Sequence, residues 1–250
     1  MIRLLLALVL LAAPARAEEV VAALSQDRVS ISTSFDGSEI LIYGAIKRDA
    51  PPDGPPLAVI VTVAGPDEPV VVRRKARRAG IWVNADAVRL SSAPSYYAVA
   101  SSAPLDRALT RIADQRWRVT TPKVIRDVGA ASVVADAGRF RDALIRIRRD
   151  EGAYIRDEGG VTLTDETLFS ATVALPSALT EGNYEARIFL TRGGRVVDVF
   201  ATDIFVRKVG LERFVHALAH ERPLLYGLLS LALAIAAGWA AAAAFRLVRA

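Results

Sequence analysis

The chain has 250 residues, of which 52% are hydrophobic and 24% charged, and its mean hydropathy is +0.30. This apolar content excludes a disordered chain, and the absence of long uncharged runs between the two ends excludes a polytopic membrane protein. Cysteine is absent, which excludes disulfides, zinc–cysteine sites, iron–sulfur clusters, thiol catalysis and a lipid-modified N-terminal cysteine.

Residues 1–17 have the pattern of a secretory signal peptide. The cation Arg3 precedes an uncharged apolar stretch from Leu4 to Ala13, and Ala15-Arg16-Ala17 offers a small-residue cleavage site. We predict cleavage after Ala17. The alternative is an uncleaved membrane anchor.

Residues 18–102 contain short runs rich in Val, Ile and Tyr, separated by Gly- and Pro-containing turns. This pattern predicts an immunoglobulin-like β-sandwich held together by packing alone. Trp82 is either a core residue of the sandwich or lies on an exposed face. The predicted strands are Val20–Leu24, Val29–Thr33, Glu39–Lys47, Leu57–Ala64, Val70–Arg74, Gly80–Asn84 and Tyr96–Ser101.

Residues 103–158 are predicted to form a helical connecting segment. Two sets of apolar residues recur at i, i+3, i+4 and i+7, which is typical of short amphipathic helices that cover a sheet. The sets are Leu105, Ala108, Leu109 and Ile112, and then Phe140, Ala143, Leu144 and Ile147.

Residues 159–208 again indicate strands, with a two-glycine hairpin turn at Gly193-Gly194. These strands either complete the sheets of the first region or form a second β unit, and the second arrangement is preferred. The clearest strands are Phe169–Leu175, Tyr184–Leu190 and Val196–Val206.

The C-terminal region predicts a membrane anchor. Residues 209–222 form a short amphipathic segment expected to lie at the interface, and residues 223–245 are uncharged. These 23 residues span about 35 Å as a helix, which is enough to cross a bilayer core. The alternative is a buried soluble helix. A cleaved signal before this helix places the N-terminal domain in the periplasm and the tail, residues 246–250, in the cytoplasm.

Several short sequence segments in the mature region are shared with a known family. They are Gly80-Ile81-Trp82-Val83-Asn84, Pro94-Ser95-Tyr96-Tyr97-Ala98-Val99, Pro176 through Gly182-Asn183-Tyr184, Gly210-Leu211-Glu212-Arg213-Phe214, Leu225-Tyr226-Gly227 and Gly238-Trp239. In these sequence segments the chain resembles an alphaproteobacterial family of transmembrane proteins with a signal peptide, a periplasmic β-rich region and a C-terminal helix. The resemblance supplies no catalytic residues. It implies a link to sulfite-exporter-type permeases as transport partners.

The densest charge cluster is a basic run within the predicted sandwich. Such a run either contacts an anionic ligand, a lipid headgroup or an acidic partner, or forms a solvated loop. Its cations are Arg73, Arg74, Lys75, Arg77 and Arg78.

Catalytic and metal-binding patterns are largely missing from the sequence. His216 and His220 are spaced to share one helical face, with Glu212 four residues earlier. They form a candidate metal pair, and polar residues on an interfacial helix are the alternative. The adjacent carboxylates Asp150-Glu151, Asp157-Glu158 and Asp165-Glu166 are interpreted as solvated. No catalytic residue and no cofactor are therefore predicted.

Small residues recur every fourth position in the predicted membrane helix, at Ser230, Ala234, Gly238 and Ala242. A stripe of this kind lets another helix approach closely. Simple anchoring is the alternative, because the helix is rich in alanine throughout.

The charge distribution limits the classes of partner. The net charge is +5 and the pI about 9.8, but residues 18–208 contain 26 basic and 25 acidic residues. No nucleic-acid partner is predicted from so balanced a domain. We expect a single-pass inner-membrane protein whose periplasmic domain is a non-enzymatic accessory or interaction module, with an integral-membrane partner such as a permease. The alternative is a periplasmic domain that binds or senses an anionic ligand or lipid headgroup.

Overall fold

The fold is described from a computed structural model of the chain. It describes residues 18–32, 35–48, 54–126, 136–209 and 218–248, with side chains as far as residue 241. These residues belong to two compact units, one within Met1–Val29 and Phe35–Arg207 and the other within Ser30–Ser34 and Lys208–Ala250. The predicted signal peptide, residues 1–17, lies outside the described residues.

Twelve strands occur in the described residues, which confirms the prediction of a mainly β protein. They form a four-stranded sheet with the order β1-β3-β10-β9, a six-stranded sheet with the order β2-β12-β11-β4-β7-β8, and a separate β5–β6 hairpin. The sheets are sandwich-like, and the immunoglobulin-like topology stays a prediction. The strands are β1 (Glu19–Leu24), β2 (Arg28–Ile31), β3 (Ser38–Lys47), β4 (Leu57–Ala64), β5 (Asp67–Arg78), β6 (Ile81–Pro94), β7 (Tyr97–Ser101), β8 (Tyr154–Glu158), β9 (Val161–Thr164), β10 (Leu168–Leu175), β11 (Gly182–Arg192) and β12 (Arg195–Lys208).

Strands from the two predicted β regions lie side by side in both sheets. Strand β10 pairs with β3, and β11 pairs with β4, each in antiparallel register. The later strands therefore complete the sheets begun by the earlier ones, which differs from the preferred arrangement of two β units. The hairpin β5–β6 forms its own sheet, and one edge of β3 and one edge of β4 pair with strands that come much later in the chain.

The six-stranded sheet is the middle layer of the first unit. Every residue of β4 from Leu57 to Val63 is buried, and so is every residue of β7. One face of this sheet meets the four-stranded sheet, through contacts of β4 with β9 and β10. The other face forms a core with helices and the hairpin, to which Ile60, Tyr97 and Phe189 contribute. A strand buried on both faces has to be apolar throughout, as β4 is.

Buried tyrosines join these layers through their hydroxyl groups. Tyr96 donates to the carbonyl of Ala174 at 2.7 Å, and Tyr97 donates to that of Val119 at 2.6 Å. Tyr154 donates to the carbonyl of Pro94 at 2.8 Å. Burial raises the pKa of all three hydroxyls, because it disfavours the charged phenolate. They therefore stay protonated and serve as donors.

Four helices cover the middle sheet, α1 (Leu105–Ala108), α2 (Arg111–Trp117), α3 (Thr121–Val124) and α4 (Ala137–Asp150). The prediction of one amphipathic helix through Ile112 is wrong. Leu109 is extended, with φ of −146°, and Thr110 caps α2 by accepting a hydrogen bond from the Ala113 N–H. Because α2 starts afresh after this break, Ile112 turns outward and is 83% exposed.

Helix α4 follows its predicted pattern more closely. Phe140 and Leu144 are buried, as predicted, and Ile145 is buried with them. Ile147 was expected on the same face but is 44% exposed. The buried stripe is therefore rotated toward Ile145 at the C-terminal end of the helix.

Hairpin β5–β6 is longer than the two predicted strands, Val70–Arg74 and Gly80–Asn84. Strand β5 continues through the basic run to Arg78, since it pairs with β6 along its whole length. The pairing register shifts between Glu68 and Val70. The residue between them is Pro69, which has no N–H to donate to the partner strand. Trp82 is 68% exposed near the tip, so its placement in the core is wrong and the exposed-face alternative holds.

Arg74 attaches this hairpin to helix α4. Its guanidinium donates to the Asp86 carboxylate at 2.6 Å on the hairpin and to the Asp136 carboxylate at 2.6 Å at the start of α4. Its Cζ also lies 5.2 Å from the centre of the Phe140 ring. These bonds raise the pKa of Arg74, and the guanidinium holds the pKa of Asp136 below its ordinary value.

The second unit contains the C-terminal helix α5 (Pro223–Val248). Its start agrees with the predicted start of the membrane segment. Within the same unit, residues 218–221 are helical, and the Val209 N–H donates to the Ile31 carbonyl at 2.8 Å. The remainder of the predicted interfacial segment, residues 210–217, lies outside the described residues.

A glycine-to-alanine pair tests the packing of the four-stranded sheet. Gly44 in β3 pairs with Phe169 in β10, and a Cβ at Gly44 would overlap the Val21 carbonyl oxygen and lie 2.7 Å from Phe169 Cζ. We expect Gly44→Ala to lower the free energy of unfolding by roughly 3 kcal/mol, because this site has no room for a methyl group. The measurement is denaturant unfolding of the full chain in detergent.

Gly138→Ala in helix α4 is the matched control for this change. The nearest atom to a Cβ at Gly138 is 4.0 Å away, and alanine favours the helix, so this substitution should be neutral or stabilising by less than about 1 kcal/mol. An equal decrease in the free energy of unfolding of the two variants would contradict the packing described for Gly44.

The Arg74–Asp136 contact predicts a pH-dependent difference in stability. Because folding lowers the pKa of Asp136 below 3.8, its contribution is present above that pH and is lost as pH falls through the folded value. Asp136→Asn should therefore lower the melting temperature of the full chain at neutral pH. The difference in melting temperature between this variant and the native chain should shrink below pH 3.8. Asp150→Asn removes a carboxylate from the same helix without touching Arg74. A difference between Asp136→Asn and the native chain that does not change with pH would contradict this role.

Candidate interaction surfaces

The four-stranded sheet has an exposed face that carries little charge, here called the outer sheet face. Large apolar side chains on it are about half exposed: Val21 by 54%, Leu41 by 42%, Tyr43 by 45% and Leu168 by 57%. The solvent face of an antiparallel sheet normally carries polar and charged residues. This departure marks the face as a candidate interaction surface.

The pairing register aligns these side chains in rows. Val21 and Leu168 both lie opposite Ala45, so the three residues form one row across β1, β3 and β10. In the next row Tyr43 lies opposite Ala23 and Ser170. Threonines extend the face, with Thr172 on β10 and with Thr162 and Thr164 on β9. The rows form a continuous surface of apolar and hydroxyl groups.

Charged residues stand at the ends of this face. Glu19 and Lys47 pair at 3.7 Å beyond the row of Val21, and Glu39 lies at the other end of β3. An open groove of about 510 Å³ runs over the middle of the face, along Tyr43 and Leu168. An apolar centre with a charged rim is the usual anatomy of a protein interface.

Sequence reasoning missed this surface, although a signal was present. Residues Glu39 to Lys47 were predicted as one strand, and both alternating sets of residues in it are apolar. Ile40, Ile42 and Ile46 point into the core, so Leu41 and Tyr43 have to point outward. A strand that is apolar on both faces either is buried in the middle of a domain or has one face that forms an interaction surface.

The basic run lies on the β5–β6 hairpin, and the structure separates its cations into two groups. Arg74 faces α4 and is neutralised by Asp86 and Asp136. The other cations, Arg73, Lys75, Arg77 and Arg78, are exposed. The hairpin therefore presents its cations to solvent in a strand and not in a loop, and Arg74 is the one paired with Asp86 and Asp136.

The tip of this hairpin is tightly turned and apolar. Ala79 and Gly80 form the turn with positive φ values of 48° and 86°, the combination required by a two-residue type I′ turn. Directly after the turn, Ile81 is 64% and Trp82 is 68% exposed. Exposed cations and exposed apolar side chains are thus combined at one end of the hairpin.

A polar groove on another side of the first unit contains three arginines, Arg118, Arg126 and Arg187. Asp67 and Glu185 line the same groove and offset part of this charge. Arg187 lies 5.2 Å from the centre of the Phe189 ring and donates to the Trp117 carbonyl at 3.1 Å. These contacts tie α2 to the middle sheet, so we interpret Arg187 as a structural residue.

The candidate metal pair falls partly outside the described residues. His216 lies outside them, whereas His220 is described and exposed. Among the side chains that the structure describes, no group of three or more His, Asp or Glu residues is arranged to hold a metal ion. The metal pair therefore stays a prediction.

The adjacent carboxylates lie at the surface, in keeping with their interpretation as solvated. Glu151 pairs with Arg148 at 3.5 Å, and Glu158 accepts from Arg156 at 2.7 Å. Asp165 and Glu166 form the turn between β9 and β10, each with a φ of 49°.

Helix α5 contains the predicted packing stripe. Ser230, Ala234 and Gly238 are exposed, and the side chain of Ala242 lies outside the described part of the helix. Within the described chain, Pro223–Ala241 is the one segment long and apolar enough to cross a membrane, with a mean hydropathy of 1.9. Helix packing through the stripe stays a prediction.

Comparison with known proteins agrees with this architecture. Residues 19–247 match the family model described as "Putative transmembrane protein (Alph_Pro_TM)". No curated protein matches the chain significantly. The match covers the β-rich region and the apolar C-terminal helix together, so the resemblance predicted from the sequence is confirmed. The chain belongs to the alphaproteobacterial transmembrane protein family Alph_Pro_TM.

Proposed function

We propose that this protein is a single-pass inner-membrane protein whose periplasmic β-rich domain is a non-enzymatic interaction module. The observation that carries the proposal is the outer sheet face, which exposes apolar side chains such as Tyr43 and Leu168 in ordered rows. Exposing such a surface is costly in water and becomes favourable when a partner covers it.

The proposed topology rests on the two ends of the chain. Strand β1 begins at Glu19, two residues beyond the predicted cleavage site after Ala17. The Glu18 carboxylate accepts from the Arg192 guanidinium at 2.6 Å. A chain that starts at Glu18 therefore keeps its first strand and this ion pair, which supports removal of residues 1–17. With α5 as a stop-transfer segment, the domain is then periplasmic and the tail cytoplasmic.

The proposed partner is an integral-membrane protein such as a permease. Helix α5 holds the chain in the membrane, and an integral partner is confined to the same membrane, which raises the effective concentration of the two. The small-residue stripe around Gly238 allows close helix contact. The helix and the outer sheet face then offer two separate contacts to one partner.

A photocrosslinking experiment tests this proposal. A photoreactive phenylalanine replaces Tyr43 in the full chain, which is expressed in its native membrane. We expect a defined crosslink to an integral-membrane protein, because Tyr43 lies at the centre of the outer sheet face. The same probe at Ile112, which is 83% exposed on α2, is the matched control and should give no such product.

The contribution of the helix is tested in the same assay. Gly238→Leu should weaken the Tyr43 crosslink about tenfold, since one lost helix contact is worth about 1–2 kcal/mol. Ala236→Leu, which points away from the Gly238 face, should leave it unchanged. No crosslink from Tyr43, a crosslink to a soluble protein, or equal products from Tyr43 and Ile112 would contradict the proposal.

A further inference from the structure

Between Val70 and Val88, one face of the β5–β6 hairpin carries cations and no carboxylate. Alternation along β5 puts Arg73, Lys75 and Arg77 on the face opposite Val72 and Arg74. In the pairing register, Trp82 lies across from Arg77 and therefore shares that face. The hairpin thus presents a line of three cations that ends at an exposed tryptophan.

The carboxylate nearest to this line belongs to the other face. Asp86 is the one acidic residue between Val70 and Val88. It lies opposite Arg74 in the register and accepts from that guanidinium at 2.6 Å. Arg74 and Asp86 thus neutralise each other on the face toward α4, and no other carboxylate between Val70 and Val88 offsets the charge of the cationic face.

The spacing of the cations fits an extended anionic surface. Alternate residues of a strand are about 7 Å apart, so Arg73, Lys75 and Arg77 point side by side along a line of about 14 Å. A single bound anion requires donors that converge on one point. Donors that run in parallel match a surface on which many phosphates are spread.

The tip adds an apolar anchor. Ile81 and Trp82 are 64% and 68% exposed, and tryptophan is enriched at the interface between membrane and water because one part of its ring is apolar and its N–H is polar. Cations next to apolar side chains of this kind contact the headgroups, while the apolar side chains enter the interfacial layer.

We propose that the β5–β6 hairpin binds the surface of an anionic phospholipid bilayer. Arg73, Lys75 and Arg77 contact lipid phosphates and Trp82 enters the headgroup layer, while Arg78 and Ile81, which pair with each other next to the turn, reach the same layer from the tip. This inference goes beyond the proposed interaction with an integral-membrane partner and does not rest on it, because it uses a different surface and different chemistry.

The test follows Trp82 in the full chain. The other two tryptophans, Trp117 and Trp239, are replaced by phenylalanine, and the chain is held in phosphatidylcholine nanodiscs. Vesicles are added that contain either phosphatidylcholine alone or an equal mixture of phosphatidylcholine and phosphatidylglycerol. We expect a blue shift of Trp82 emission and protection from aqueous acrylamide with the mixed vesicles only. High salt should reverse both, since the Debye length falls from about 10 Å at about 0.1 M to about 3 Å at about 1 M.

Two variants of matched net charge separate the hairpin from general charge effects. The variant R73Q/K75Q/R77Q/R78Q should bind the mixed vesicles on the order of 1000-fold more weakly, because each of the four cations contributes about 1 kcal/mol near an anionic surface. The variant R107Q/R111Q/R146Q/R149Q removes the same charge from exposed positions on α1, α2 and α4 and should bind nearly as the native chain does. Both keep Arg74 and its two carboxylates, and near-UV circular dichroism checks that both are folded.

A third variant tests the apolar anchor independently of charge. Trp82→Ala in the native background should weaken binding about tenfold by co-flotation with the mixed vesicles. The proposal would be overturned if the two charge variants lost binding to the mixed vesicles equally, if the native chain bound both vesicle types equally, or if Trp82 emission did not change. So would protection of Trp82 by soluble polyglutamate without a response to the mixed vesicles, because the partner would then be an acidic protein.

Discussion

Strand β4 is buried on both faces, and the first unit is arranged to cover it. Its central position requires one layer on each side, which the four-stranded sheet and the helices with the hairpin supply. Because the chain has no cysteine, non-covalent contacts alone hold these layers together. The hydroxyls of Tyr96 and Tyr97 contribute by donating to the backbone of the layers on either side.

Local pattern was sufficient to predict many elements but not their partners. The apolar run at Leu57–Ala64 and the membrane segment from Pro223 stand out in sequence, and both are present with those starts. The pairing of β3 with β10 joins residues more than a hundred positions apart, and no local signal encodes it. The break at Thr110 was missed for a similar reason, since the Thr110 N–H donates to the carbonyl of Gly194, a residue of the β11–β12 turn.

The two candidate surfaces differ in how far sequence predicts them. The cations Arg73 to Arg78 were visible as a run, but only the strand register shows that Arg74 lies opposite Asp86 and that Trp82 shares a face with Arg77. The outer sheet face is assembled from four strands, so its rows exist only after folding. Its chemistry is apolar with a charged rim, while the hairpin is cationic with an apolar tip. Surfaces of such different chemistry suit different partners, a protein for the first and a bilayer for the second.

We expect the strands from residues 18–102 and 159–208 to form one cooperative unit around β4. Native-state hydrogen exchange of the full chain in nanodiscs tests it most directly. Amides of β4 and β7 should exchange only on global unfolding, and those of β3 and β11 should show the same opening free energy and the same denaturant dependence. Two groups of amides that open with separate free energies, one from each segment, would contradict the claim.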